Sequence, residues 1–334
     1  MTPLRTWQWA ARAIRKEVLD FRVDYPIEEV ALAGPSDSLH YYVYSERLFF
    51  DAMELDAKGI PIHRSRTFET YNPAYVAWYG LMRLERSLRN REDAGREAFL
   101  KQVQWLRDHA VRRDDDSVVW PLTFDWVEGK CRLRAPWVSA MIQGLAISAL
   151  VRAHRILRDE QLLDLCRAAL GVFEKNVHDG GVATIDSGHT VYEEYPGFPL
   201  PRVLDGFLFS LLGLHDLVTE TQDAKARQLL SDGLDGLRYL LPFWDYRGKW
   251  SWYGAHGYLC PPQYNRLNSA LLRALGRLSS DSCLERYGVA WRADRLRWWS
   301  RAEIFMSFVV TKNWSRVRHL RQSGYVGMSG TKGG

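Results

Sequence analysis

From Tyr71 onward, apolar residues recur three and four positions apart, in blocks separated by loops rich in aromatic residues, Pro and Gly. That spacing predicts successive amphipathic helices. Four helix starts share one form: an aromatic or proline-bearing loop, a small residue, then apolar residues at helical spacing. They run Tyr75–Leu81, Met141–Leu145, Val203–Phe207 and Tyr264–Asn268. Aligning Gly80, Gly144, Gly206 and Asn268 gives steps of 64, 62 and 62 residues. Each step contains a second helical stretch: Ala98–Arg107, Glu160–Glu174 and Ala224–Leu241. A near-constant period with two helices per unit predicts a mainly α fold, an (α/α) toroid or barrel of helical hairpins, because no single hairpin can bury its own apolar face. In such a ring the loops before the inner helices gather at one mouth.

The chain on either side of the repeats reads differently. Residues 1–20 interleave Arg and Lys with Trp7, Trp9, Ile14 and Val18. This predicts a short N-terminal amphipathic helix and not a signal peptide, which needs an unbroken apolar run. Within 21–70, Tyr41–Tyr44 and Leu48–Phe50 are β-prone, and Asp56–Gly59 reads as a turn before Ile60–Pro61, so a β-hairpin in irregular surroundings is expected. The barrel is expected over 71–300, followed by a C-terminal helix and a Gly- and Ser-containing frayed tail over 301–334. The apolar run Ile304–Val310 and the hairpin near residues 40–50 are open to two readings, homodimer contacts or internal packing. No window of about 18 apolar residues occurs, so no membrane span is expected.

Composition adds chemistry to this outline. An apolar fraction of 46% supplies a large core, but 14 Trp and 16 Tyr exceed what a core needs, and many neighbour Arg, Asp, Gly or Pro. Flat amphipathic rings beside polar groups suit sugars, whose faces are apolar and whose edges carry hydroxyls. The net charge of +5 is scattered. It mildly favours anionic ligands, and no basic tail or nucleic-acid motif accompanies it, so no nucleic-acid partner is expected. Cys131, Cys166, Cys260 and Cys283 show no CxxC or metal-ligand spacing, which leaves reduced thiols, no metal site and a cytoplasmic location as the expectation.

The segment Tyr192-Glu193-Glu194-Tyr195-Pro196 precedes the third inner helix. Adjacent carboxylates are costly unless one is paired or protonated. The fourth repeat's loop adds Trp250–Tyr253, His256, Tyr258 and Tyr264; the second adds Pro136–Ser139; the first adds Thr70–Pro73. No single loop is specific, but the repeat brings them to one mouth.

These segments carry a resemblance. Ala135–Ser148, with Trp137, Ser139, Ala140, Gln143 and Gly144 in place, resembles the W-x-S-A-x-x-Q-G motif of the D-glucuronyl C5-epimerases of heparan sulfate synthesis. Tyr192–Pro196 resembles their Y-E-E-Y-P, and Val203–Phe207 their V-L-N-G-F. The likeness runs over roughly residues 55–290. It implies an (α/α) barrel and cofactor-free epimerisation of D-glucuronate to L-iduronate in an anionic, uronate-containing polysaccharide. A proton leaves C5, acidified by the neighbouring carboxyl group, and one returns from the opposite face, which requires an acid/base group on each side and a means of neutralising the substrate carboxylate.

By the same resemblance Glu194 and Tyr195 fall on the family's catalytic Glu-Tyr pair, Tyr264 on its second tyrosine and Tyr253 on a third. Trp137 and Ser139, with Asn268, are expected to contact the sugar, and Arg64, Arg66 or Arg266 its carboxylate, since a guanidinium binds carboxylates bidentately. Three positions depart from the pattern: Asp205 replaces a substrate-contacting Asn, Phe209 a Tyr, and His256 an Arg. The reaction type therefore transfers better than the substrate, which heparosan, a chondroitin-like chain or another uronan would satisfy. Three rivals share parts of the site: a lyase that expels the C4 substituent after the same proton removal, a hydrolase using Glu194 with Asp205 or Asp125, and a glycan-binding module without chemistry.

Overall fold

The computed structural model describes residues 14–16, 18–19, 21–22, 25–30, 39–45, 53–64 and 68–328, with side chains described as far as Ser315. Residues 14–22 are helical where described, while residues 1–13, Leu48–Phe50, Arg66 and the tail after Met328 lie outside the described residues.

The repeat appears as four helical hairpins. The first pairs α1 (Pro73–Asn90) with α2 (Asp93–Asp108), the second α3 (Ala140–Leu157) with α4 (Glu160–Ala169). The third pairs α5 (Leu204–Thr221) with α6 (Ala224–Trp244), the fourth α7 (Pro262–Leu278) with α8 (Ser282–Ala290). All four aligned positions fall on the inner helices α1, α3, α5 and α7, which pack side by side in chain order, each covered by its own partner.

Local chemistry sets the starts. The Asn72 side chain accepts from the Ala74 N–H at 2.9 Å and Pro73 opens α1 with its preset φ. Asp159, Asp223 and Asp281 cap α4, α6 and α8 in the same way. The inner helices α3 and α5 are buried around most of their circumference, whereas α2 buries little more than the stripe of Gly95, Phe99, Val103 and Leu106. Where α3 crosses α5, Gly144 and Gly213 face one another so closely that a Cβ on either would overlap the other helix's backbone. The two backbones therefore touch.

Antiparallel β-structure precedes each inner helix. The expected turn at residues 56–59 joins Glu54–Leu55 to Pro61–Arg64, and Glu69–Tyr71 adds a third strand before α1. Two-stranded hairpins follow before α3 (Trp126–Glu128 with Cys131–Leu133), before α5 (Ala183–Asp186 with His189–Tyr192) and before α7 (Asp245–Tyr246 with Trp250–Ser251). These hairpins supply the rim of the mouth.

The opposite end is closed by the chain around residues 40–45. Tyr41–Tyr44 are buried, and the Tyr42 hydroxyl donates to Asp216 Oδ1 at 2.6 Å. Asp216 also accepts from Ser148 Oγ at 2.6 Å and Arg152 Nη1 at 2.7 Å, and Arg152 Nη2 donates to the His40 carbonyl at 2.9 Å. After the ring, α9 (Trp298–Met328) lays Ile304 and Phe308 against Trp250, Leu259 and Cys260, with Met306 and Val310 facing outward. The described part of the 40–50 segment and the inward face of Ile304–Val310 thus take the internal-packing reading. No helix among the described residues is long and apolar enough to cross a membrane.

Candidate active site

The motif Tyr192–Pro196 starts on the last residue of its hairpin and bends at Glu194 and Tyr195. Tyr192 enters the core and donates to the Leu229 carbonyl at 2.8 Å. Glu193 turns away from the mouth to Arg202, whose Nη1 lies 2.6 Å from its Oε1, with Thr184 Oγ1 at 3.1 Å. Glu194 faces the opposite way, and its neighbour Tyr195 joins it on the mouth. The two adjacent carboxylates are thereby separated: one is held by an arginine, the other is delivered to a cavity.

That cavity, about 270 Å³, is bordered by Glu194, Tyr195, Trp137, Ser139, Asp205, Tyr253 and Tyr264, which the sequence singled out. His63, Asn72, Tyr75, Phe124, Trp126 and Glu128 complete most of its wall. Trp137 is fixed by pairing with Leu122 (2.8 and 3.2 Å) and by its indole N–H to the Phe124 carbonyl (2.9 Å), and its ring lies 5.9 Å from that of Tyr195. Ser139 occupies the cap position of α3 without using its side chain there, which leaves the hydroxyl unpartnered. Gln143, four residues after Ser139 in the same motif, is architectural: its amide bonds the Trp120 N–H and the Val118 carbonyl. The rings of Tyr253 and Tyr264 meet edge to face at 5.8 Å.

Asp205 stands in the first turn of α5. Gly206 next to it leaves space that Glu194 occupies; a Cβ there would overlap the Glu194 side chain. Both carboxyls are buried, and Glu194 Oε2 and Asp205 Oδ1 have no hydrogen-bond partner. Burial and the charge of Asp205 push Glu194 far above the ordinary carboxylate range, although a hydrogen bond with Tyr195 opposes this. Asp205 is pushed up to about 7, by burial first and against the pull of the helix's N-terminal N–H groups. Tyr195, Tyr253 and Tyr264 all move well above the usual phenol value, through burial and the facing carboxyl groups. Burial thus favours the neutral form of the three phenols and of both carboxyl groups alike. Burial lowers His63, which packs edge-on against Phe68, Tyr75 and Phe124.

The other expected residues stand elsewhere. His63 and Arg64 are neighbours on one strand, so with the imidazole on the cavity the guanidinium points away, to Glu54 at 2.7 Å and Glu69 at 2.8 Å. Arg266 borders a separate surface pocket with Phe21, Trp250 and Pro262. Asn268 is fully buried, its amide directed to Ser251 Oγ (3.4 Å) and Cys260 Sγ (3.5 Å). Phe209 packs in the core against Trp78. His256 borders a second cavity with Lys130 and Pro199–Pro201, and reaches the first through Glu128, whose Oε1 lies 2.9 Å from its Nε2. Among the described residues, no Arg or Lys borders the first cavity, and no group of three or more His, Cys, Asp or Glu could hold a metal ion.

Glu128, Tyr75 and His63 were not singled out beforehand. Only the Trp126-Val127-Glu128-Gly129 alternation, which turns residues 126 and 128 to one face before a hairpin turn, hinted at Glu128.

Comparison with known proteins places this geometry in context. A profile of the family described as D-glucuronyl C5-epimerase C-terminus matches residues 113–293. The D-glucuronyl C5-epimerase of Caenorhabditis elegans is 36% identical over 184 residues, 51% of this chain and 29% of that protein, so the chain spans under a third of that relative's length. An uncharacterised protein of Methanocaldococcus jannaschii is 26% identical over 220 residues, 61% of this chain and 70% of that one. Among solved structures, a GH76A α-1,6-mannanase from Salegentibacter superposes with TM-score 0.42 at 11% identity, covering 64% of this chain and 60% of that one. A polysaccharide lyase gives 0.31 at 12%, with 83% and 44% covered. The profile takes in more than half of the chain and every cavity residue from Phe124 to Tyr264, and on that match this chain belongs to the D-glucuronyl C5-epimerase C-terminus family.

Proposed function

We propose that the chain inverts C5 of D-glucuronate to L-iduronate within an anionic polysaccharide by proton transfer on two faces of the sugar ring. The observation that carries this reading is the convergence of a hydrogen-bonded Glu194–Tyr195 pair with Tyr253 and Tyr264 on one cavity. On one face, the C5–H bond breaks and its proton passes to the carboxylate of the Glu194–Tyr195 pair, with the electrons delocalised into the substrate's carboxyl group as an enolate. On the other face, the Tyr264 or Tyr253 hydroxyl returns a proton to C5. The raised tyrosines suit donation, because a phenol that holds its proton in the resting site is available to give it to a carbanion-like centre. Trp137 offers a flat apolar face to the sugar, and Ser139 a hydroxyl without an internal partner.

Incubation of heparosan, chondroitin and bacterial glucuronans in deuterated water, followed by NMR of the C5 position, tests the proposal. Deuterium at C5 with iduronate appearing in chains of unchanged length is the expected result. No incorporation into any uronan overturns it, as does ultraviolet absorbance from unsaturated uronate ends with chain shortening, which belongs to a lyase.

A further inference from the structure

Glu194 and Asp205 meet at the start of α5, where the Glu194 side chain, its Oε2 included, fills the space beside Gly206, the residue next to Asp205. Glu194 is 6% exposed and Asp205 3%, and each carries an oxygen without a hydrogen-bond partner. Buried acceptors are rarely left so. One proton placed between two carboxyl groups satisfies both oxygens at once and removes the repulsion of two buried like charges.

We propose that Glu194 and Asp205 hold a single proton between them, and that this proton is what meets the carboxylate of a bound uronate. The proposal rests on the epimerase reading for the identity of the ligand, but not for the state of the pair. The backbone N–H groups of Asp205 and Gly206 favour the charge on Asp205, and the Tyr195 hydroxyl favours it on Glu194, so each carboxyl group has a donor for its ionised form and the pair keeps one proton and one charge. Other titratable groups face the pair from every side. Glu193 and Tyr195 belong to its own segment, Tyr75 to α1, Tyr253 and Cys260 to the loop before α7, and Tyr264 to α7 itself. Glu128 faces it from the 126–133 hairpin and adds a third carboxyl group, against which His256 is set. The surroundings thus offer phenols and negative charge, and both favour retention of the proton. No bond beyond the O–H is made or broken: the proton moves from its position between the two carboxyl groups into a hydrogen bond with the substrate carboxylate.

Infrared difference spectroscopy and calorimetry test the pair. In the ligand-free protein at pH 7, a carbonyl band of a buried carboxylic acid is expected, lost in Glu194→Gln and titrating away at lower pH in Asp205→Asn. The Glu194→Gln difference separates this band from any contribution of Glu193. Absence of the band at pH 7, or its persistence unchanged in Glu194→Gln, overturns the proposal whether or not the protein is active. Binding of a heparosan hexasaccharide, followed in two buffers of different ionisation enthalpy, is expected to take up close to one proton per site above the pH at which the infrared band disappears from the ligand-free protein, and almost none below it. Uptake near zero above that pH overturns the proposal. A band that behaves as expected in a protein giving no C5 exchange leaves the shared proton standing and removes the epimerase reading alone.

Discussion

Asp205 and Asp216 lie on one helix, α5, and are about equally buried, yet they meet opposite surroundings. At the closed end, Asp216 receives Arg152, Ser148 and Tyr42, and Arg152 holds its carboxyl below the ordinary range despite burial. At the mouth, Asp205 meets Glu194, Glu128 and a set of phenols, and is pushed up to about 7. Burial raises both; what differs is whether the fold supplies a partner. Partnered, a buried carboxylate pins the helices together. Left short of partners, it becomes chemistry waiting for a ligand. Glu193 and Glu194 repeat the contrast within two residues, one on Arg202 and the other on the cavity.

The contrast can be broken from the closed end first, where the effect should be largest. Arg152→Met leaves Asp216 buried without its cation, and a loss of about 3–5 kcal/mol in denaturant unfolding is expected. A stability within 1 kcal/mol of the parent would mean that Asp216 is not held as the geometry indicates. At the mouth, Tyr195→Phe and Tyr264→Phe should each slow C5 exchange by ~10²–10⁴-fold while shifting the melting temperature little, since both rings remain. Full activity in either variant removes that hydroxyl from the mechanism.

The two aspartates should also separate by pH. Asp216, lowered in the folded state, contributes stability above its unfolded value that is lost as acid protonates it. Asp205, raised, does the reverse: its contribution is complete below the ordinary carboxylate range and disappears as pH rises through about 7. Asp205→Asn is therefore expected to gain roughly 3–4 kcal/mol over the parent on moving from pH 4 to pH 8, read by thermal unfolding at both values. An unchanged difference would place Asp205 in an ordinary environment. The smallest effect belongs to Ser139→Ala. Its hydroxyl caps nothing, so stability should move by no more than about 0.5 kcal/mol, while KM rises through loss of one hydrogen bond.

The ring was legible in the sequence because helix packing writes itself as periodicity: the inner helices need apolar faces at helical spacing and small residues where they approach. The site was legible where a motif fixed it, at Trp137, Ser139, Glu194 and Tyr195, and where the repeat carried Tyr253 and Tyr264 to the same mouth. Residues chosen for the chemistry alone fared differently. Arg64 was selected because a carboxylate calls for a cation, but strand alternation turned it outward and gave its place to His63. Arg266 follows Tyr264 by two residues, which on a helix sends it to another side. Glu128 went unnoticed because Glu-Gly-Lys reads like any solvated turn, and only folding brings that turn over the cavity.

The crossing of α3 and α5 at Gly144 and Gly213 has a consequence for how this protein tolerates change. One wall of the cavity, Trp137 and Ser139, leads into α3; another, Glu194 and Asp205, leads into α5. Their separation is set one to three turns below, at a fulcrum with no side chain to compress. A single methyl group at Gly144 would prise the two walls apart, so a mutational scan would score this glycine with the residues that border the cavity, although it is not one of them.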